Sequence, residues 1–266
     1  MAKPVIGIFS LTCCSGCQLE ILNNEDLLLE IVDKIKITHF PMAQENNSEG
    51  PFDIAFVEGS ASNQEQIDKL KDIREKSKFL VALGTCAVYG GVQAIRSYMK
   101  PGEAEKIVYN GNPPIKSTDS DPLSKHVKVD ACIRECPINK DEFVSVLKQL
   151  LVGKIPKEKV FPVCVECRKK ENACLLQEGK FCMGPVTYGG CGALCPSHNT
   201  ICNGCRGPIE DATIIAEIEK LEKNGMKMEE IKKLFNMFTG KFYDEAEELD
   251  KKEIKKEIEK IRGVKK

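Results

Sequence analysis

The 266-residue sequence predicts an α/β protein: a parallel sheet covered by helices, followed by a smaller unit of irregular loops and helices stabilised by bound clusters. Three observations carry that prediction. Short β-branched and aromatic runs alternate with amphipathic stretches through about residue 150, as in a sheet wrapped by helices. From about Lys157 the chain becomes rich in Cys, Gly and Pro and loses apolar periodicity. Twelve of the 14 cysteines fall into three sets of four.

Strands are expected at Val5–Phe9, Ile35–Phe40, Asp53–Val57 and Lys78–Leu83, with a weaker one near Val127–Val129. Between the first two, Leu19, Leu22, Leu29 and Val32 recur near helical spacing, as do Ile67, Leu70 and Ile73 after the third. Asp141–Leu151 reads as a helix with Phe143, Val144, Leu147 and Leu151 on one face. Beyond Pro208, helices are expected over Ile209–Lys223, Lys227–Phe238 and Tyr243–Ile261, the last charged enough to face solvent or a partner. The expected domains are 1–155, holding one cluster, and 156–266, holding two. The cysteine-rich stretch cannot offset its ordering entropy by apolar burial alone, so clusters are expected to hold it together.

The first cysteine set is dispersed: Cys14-x2-Cys17, Cys86 in GTCAVYGG and Cys136 in ECP. The others are compact, Cys164-x2-Cys167-x6-Cys174-x7-Cys182 and Cys191-x3-Cys195-x6-Cys202-x2-Cys205. In open α/β sheets ligands bind beyond the carboxyl ends of the strands. Cys14 and Cys17 follow the first expected strand, Cys86 the one ending at Leu83, and Cys136 the weak one near Val129, so these four are expected to converge at one sheet edge. Glu58-Gly59-Ser60-Ala61-Ser62 follows another strand and is expected to line the same rim.

A formal net charge of −1 gives no basis for binding nucleic acid or an anionic membrane surface. MAKPVIGIFSLTCC lacks the features of a secretory leader, and no apolar run approaches the ~18 residues of a membrane span. A cytoplasmic protein is expected, and in a reducing compartment cysteines at this density point to metal ligands rather than disulfides. There is no GxGxxG after a strand and no GxxxxGKS/T. His39 reads as a strand residue and His198 as a loop residue inside the last set, and no Ser/His/Asp or Cys/His pair has supporting spacing, so no catalytic residue is assigned.

The CxxC pairs alone suit zinc ribbons as well as iron–sulfur clusters. Pro after Cys136 and Cys195 matches the Cys-Pro ending of ferredoxin ligand runs, and a site assembled from distant loops is unlike a local ribbon. Cys13 and Cys132 are left over and read as thiols beside the site.

From LTCCSGCQLE through VEGSAS, GTCAVYGG and ECP to PVCVECRKK, CMGPVTYGGCGALCP and CNGCRGP, the chain resembles the small subunits of [NiFe] hydrogenases. The likeness is strongest to the delta subunits of archaeal cytoplasmic sulfhydrogenases, with methanogen-type F420-non-reducing small subunits also close. GTCAVYGG is similar, too, to the related small subunit of respiratory complex I. The resemblance implies a flavodoxin-like first domain and three [4Fe–4S] clusters: proximal on Cys14, Cys17, Cys86 and Cys136, distal on Cys164, Cys167, Cys174 and Cys182, and medial on Cys191, Cys195, Cys202 and Cys205. It also sets Glu20 near a proton path, for which a glutamate favoured in a helix first turn is the alternative. Cys164 stands where periplasmic relatives have a histidine ligand, and Cys195 supplies a thiolate their three-iron medial cluster lacks. All-thiolate sites tend to lower potential, suiting low-potential cytoplasmic carriers. ECPIN replaces the usual GCPP while keeping the cysteine.

Neither RxCxxC nor DPCxxC occurs, so hydrogen chemistry is expected on a partner, the Ni–Fe large subunit. This chain would conduct electrons between that subunit and an iron–sulfur or flavin subunit linked to NAD(P) or sulfur. The alternative is a methanogen-type small subunit feeding heterodisulfide reductase. A free ferredoxin-like carrier would leave the large α/β domain unexplained, and a zinc-stabilised interaction module would be distinguished by metal analysis, with three zincs in place of about twelve irons.

Overall fold

Apolar runs that alternate between two buried faces produce the central sheet. The computed structural model describes residues 3–24, 33–100, 102–114, 116–158, 160–209 and 214–240. Among these, β1 (Val5–Ser10), β2 (Lys36–His39), β3 (Phe52–Glu58), β5 (Ser77–Leu83) and β7 (Ala131–Ile133) form a five-stranded sheet in the order β2-β1-β3-β5-β7. Every pairing is parallel. This is the flavodoxin-like order, with its switch point between β1 and β3. Two short strands, β4 (Ala61–Asn63) and β6 (Ser117–Asp121), pair antiparallel outside the sheet.

Because side chains alternate along a strand, each central strand feeds two cores. Ile6, Ile8, Ile54, Phe56, Val81 and Leu83 join one core with Cys17 and Ile21 of α1 (Gly16–Leu22) and five buried residues of α5 (Lys140–Leu151). Phe9, Ala55, Val57, Leu80 and Ala82 join the other with Leu70 and Ile73 of α2 (Gln64–Glu75). Burying side chains such as Phe143 and Leu147 contributes about 1.5–3 kcal/mol each. Asn63 caps α2 by accepting from the Gln66 N–H, and Asn139 caps α5 by accepting from the N–H groups of Asp141 and Glu142. Two further helices, α3 (Gly84–Tyr89) and α4 (Glu103–Tyr109), leave the sheet beyond β5.

The described residues of Met1–Lys159 together with Cys205–Gly207 make one compact unit, and those of Val160–Gly204 with Pro208–Lys266 make another. In the second unit, α6 (Val163–Lys169) carries Cys164 and Cys167, α7 (Leu194–Ser197) carries Cys195, and α8 (Ile214–Lys223) and α9 (Met228–Asn236) follow the cysteine loops. Backbone bonds from Val163 N–H to the Thr187 carbonyl (3.0 Å) and from Met183 N–H to the Cys202 carbonyl (2.9 Å) tie those loops together.

Several expectations shift. The weak strand forms at Ala131–Ile133 rather than Val127–Val129, because Val127 and Val129 pack sideways against the second sheet core while Asp130 accepts the Leu80 N–H at 2.9 Å. The helix expected from Ile209 is described only from Ile214. The next is bounded to Met228–Asn236, with Lys227 at its N-cap. The part of the first helical pattern around Leu29 and Val32, and the helix expected at Tyr243–Ile261, lie outside the described residues. The cysteine-rich loops also share an apolar core, in which Val163, Leu175, Met183 and Val186 meet Leu221, Ile231, Leu234 and Phe235. Apolar surface for that segment thus comes from the helices that follow it.

Candidate metal centres

A parallel sheet delivers every strand's carboxyl end to one edge, and the first cysteine set gathers there. Cys14 and Cys17 follow β1, Cys86 lies in α3 directly after β5, and Cys136 follows β7. Glycines keep the approach open. An added Cβ at Gly84 would lie 2.5 Å from Cys17 Sγ, and one at Gly91 2.5 Å from Cys86 Sγ, while Gly16 leaves Cys14 Sγ only 3.3 Å away. Gly84 and Gly91 also hold φ at +82° and +71°. Ser15, between the first two cysteines, and Glu135, before Cys136, adopt positive φ (62° and 112°) without being glycine.

The rim expected after β3 is present. Glu58 is buried; its carboxylate accepts the Cys17 N–H at 3.2 Å and the Gln18 Nε2 at 2.9 Å. The backbones of Thr12 and Ser60 exchange hydrogen bonds of 3.1 and 3.0 Å, closing the switch point. Gln93 ties three loops: its amide nitrogen donates to the Thr12 carbonyl (2.8 Å) and to Ser60 Oγ (2.9 Å), and its oxygen accepts from Cys86 Sγ (3.5 Å).

Burial pushes the Cys17 thiol far up, with the Glu58 carboxylate adding to the shift. Cys136 is pushed up to about 11 by burial and then by nearby Cys86 and Cys14, and Cys86 is raised by burial first. Metal-binding sulfur must be deprotonated, so thiols this costly to ionise need a bound cation to hold them as thiolates. Three such groups, with Cys14 beside them and glycine-lined approaches, fit a cluster.

The second set is also brought together. Burial raises Cys164 to about 12, followed by the influence of Cys182, Cys167 and Cys174, and a Cβ at Gly184 would lie 3.1 Å from Cys164 Sγ and 3.5 Å from Cys182 Sγ. Cys182 Sγ accepts the N–H of Cys202 at 3.5 Å, joining the second set to the third. The Asn172 amide donates to Cys167 Sγ (3.6 Å) and to Ser197 Oγ (3.0 Å). Of the third set, Cys202 is buried, Cys191 and Cys205 are half-buried and Cys195 is exposed; Cys205 lies in the stretch grouped with the first unit. Among the described residues, no three His, Cys, Asp or Glu side chains close on a single point as a lone metal ion requires.

The remaining candidates fall elsewhere. Cys13 Sγ donates to the Leu11 carbonyl at 3.7 Å, and Cys132 is part of β7 against the second core, raised to about 11 by burial. His39 stacks on Phe9 with ring centroids 4.2 Å apart, and His198 is exposed. Glu20 lies in the second turn of α1, so the first-turn dipole explanation does not apply to it. No described helix is long and apolar enough to cross a membrane. Glu58 was expected only as part of a rim; the roles of Gln93 and Asn172 carry no local sequence signal.

Residues 14–150 match the family of the NADH ubiquinone oxidoreductase 20 kDa subunit. The chain is 41% identical over 220 residues to sulfhydrogenase 2 subunit delta of Pyrococcus furiosus, covering 82% of this chain and 92% of that one. It is 34% identical to a vhu subunit of the F420-non-reducing hydrogenase of Methanocaldococcus jannaschii, covering 77% and 82%. Among solved structures, a chain of the NAD+-reducing [NiFe]-hydrogenase in its H2-reduced state superposes with a TM-score of 0.55 at 26% identity, covering 59% of this chain and 96% of that one.

Proposed function

The chain belongs to the NADH ubiquinone oxidoreductase 20 kDa subunit family and, within it, to the small subunits of [NiFe] hydrogenases, and from that premise we propose that it conducts electrons through three [4Fe–4S] clusters. The proposed ligands are Cys14, Cys17, Cys86 and Cys136 for the proximal cluster, Cys191, Cys195, Cys202 and Cys205 for the medial, and Cys164, Cys167, Cys174 and Cys182 for the distal. Hydrogen chemistry is assigned to a separate Ni–Fe large subunit, and electrons leave to an iron–sulfur or flavin subunit in the cytoplasm. The domain division 1–155 and 156–266 follows the same scheme.

One observation carries the reading: three segments, following β1, β5 and β7 of a parallel sheet, bring four cysteines to the edge where β3 ends in the buried Glu58. When bound, such a cluster takes up and hands on single electrons. The chain's own residues do the rest. Glu58 fixes the start of α1 through the Cys17 N–H, Gln93 ties the Cys86 loop to β1 and β3, and Asn172 directs an N–H at Cys167 sulfur. Such donors tune a cluster's potential.

The likeness to the F420-non-reducing hydrogenase chain supports a second reading, a methanogen-type small subunit delivering electrons to heterodisulfide reductase. Anaerobic isolation of the native complex tests both. About twelve irons with matching sulfide per chain, and a nickel-bearing companion, are expected. A flavin subunit with a nicotinamide site selects the first reading and heterodisulfide reductase the second. Zinc in place of iron, or no nickel-bearing companion, overturns both.

A further inference from the structure

Glu135, immediately before Cys136, holds φ at 112°, a conformation that residues with side chains rarely adopt. Its carboxylate accepts from Arg206 Nη1 at 2.6 Å. Arg206 is only 4% exposed and is also gripped by Glu142, whose two oxygens lie 2.8 and 3.0 Å from its guanidinium nitrogens. A buried ion pair costs desolvation, and here it comes with an unfavourable backbone angle. Glycine at 135 would relieve the second cost.

Those costs fall on residues flanking Cys136 and Cys205, and hydrogen bonds extend the contact to the residue before Cys86. Thr85, one before Cys86, donates its hydroxyl to the Cys205 carbonyl, and that hydroxyl oxygen accepts the Glu135 N–H at 3.2 Å. The Thr85 N–H donates to the Glu135 carbonyl at 3.1 Å. Arg206 follows Cys205 directly, and Gly207 lies where any Cβ would collide with the Tyr89 ring. The stretch Cys205–Gly207 is thereby seated in the first unit, among the loops that carry Cys86 and Cys136.

We propose that Thr85, Glu135 and Arg206 are positioning residues that lock Cys205 to the Cys86 and Cys136 loops within the first unit, and so set the electronic contact between the group that Cys205 ligates and the group that Cys86 and Cys136 ligate. The inference rests on reading both sets as cluster ligands. Electron transfer falls steeply with separation, and an ionic and hydrogen-bonded lock holds a separation that loop glycines alone would leave loose.

The test uses anaerobically purified protein with its copurifying subunits, reduced by dithionite. Iron content, thermal stability and the spin–spin broadening of the electron paramagnetic resonance spectrum are recorded together. Glu135→Gly is expected to keep its iron and its melting temperature, since backbone strain is relieved, yet to lose at least half of the broadening. Arg206→Gln is expected to lose it as well, Arg206→Lys to fall between, Thr85→Val to lose part, and Thr85→Ser to restore the wild-type spectrum. Wild-type broadening in Glu135→Gly and Thr85→Val at full iron content overturns the inference, as does broadening that falls only in step with iron. If Arg206→Gln fails to fold, Glu135→Gly and the two Thr85 variants decide the matter. A wild-type protein with no iron–sulfur signal overturns the ligand reading itself, and the inference with it.

Discussion

Glu58, the last residue of β3, accepts the backbone N–H of Cys17 at 3.2 Å, joining two strand-end loops across the sheet's switch point. The carboxylate is 1% exposed and also receives the Gln18 amide, so one buried anion satisfies two donors at the start of α1. Hydrogen bonds to charged groups contribute more than neutral ones, and losing the acceptor leaves buried donors unpaired.

Glu58→Gln is therefore expected to lower stability by about 1.5–3 kcal/mol, because an amide offers only one acceptor oxygen to two donors. Glu58→Ala is expected to cost more. Anaerobic denaturant titrations compare them, and equal stability of Gln and wild type would remove Glu58 from this role.

Gly84→Ala and Gly102→Ala separate backbone strain from crowding of a sulfur. Both positions hold φ near +80°, but a Cβ at Gly84 would lie 2.5 Å from Cys17 Sγ, whereas nothing lies within 4 Å at Gly102. Both variants are expected to lose ~1–2 kcal/mol to the left-handed backbone. Only Gly84→Ala is expected to lose about four irons per chain as well, measured by metal analysis.

Asp53 clamps the opposite end of the sheet, accepting the Val5 N–H and Lys78 Nζ, each at 2.7 Å. The Lys78 hydrogen bond, then that from Val5, holds its carboxyl below the ordinary carboxylate range. A depressed folded value gives stability that is present above the unfolded value and is lost as pH falls through the folded one. Asp53→Asn is expected to be less stable than wild type at neutral pH, with the gap closing in acid. Denaturant midpoints at a series of pH values read it directly.

Glu217 has the opposite sign. It is 5% exposed in α8, one of its oxygens has no hydrogen-bond partner among the described residues, and burial raises its carboxyl from 4.5 to about 7. Its contribution is full below the unfolded value and is lost as pH rises through about 7, a change on the order of 3 kcal/mol. Glu217→Gln is expected to be more stable than wild type near pH 8 and less advantaged near pH 5.5. A pH-independent difference would show that the carboxyl does not titrate in this range.

β1, β3 and β5 are legible because both faces of each are buried, leaving near-continuous apolar runs. β7 is only three residues long and β6 reads Ser-Thr-Asp-Ser-Asp, so neither carries a periodic signal, and apolar burial of Val127 and Val129 drew the expected strand to the wrong residues. α3 is hidden by the glycines and cysteine that make GTCAVYGG look like a ligand loop. The spacing of the two compact cysteine sets is visible in the sequence because each lies within a short window. Glu58, Gln93 and Arg206 are not, since their partners lie 41, 81 and 71 residues away and no short window contains both members of a pair.

The first unit is not a contiguous piece of chain, since three residues from beyond position 200 complete it. Cutting the gene between the two units would strip Glu135 and Glu142 of their shared cation and uncover Tyr89. Recombination that exchanges the chain beyond Lys159 for that of a relative would have to keep residues 205–207 matched to Glu135, Glu142 and Tyr89.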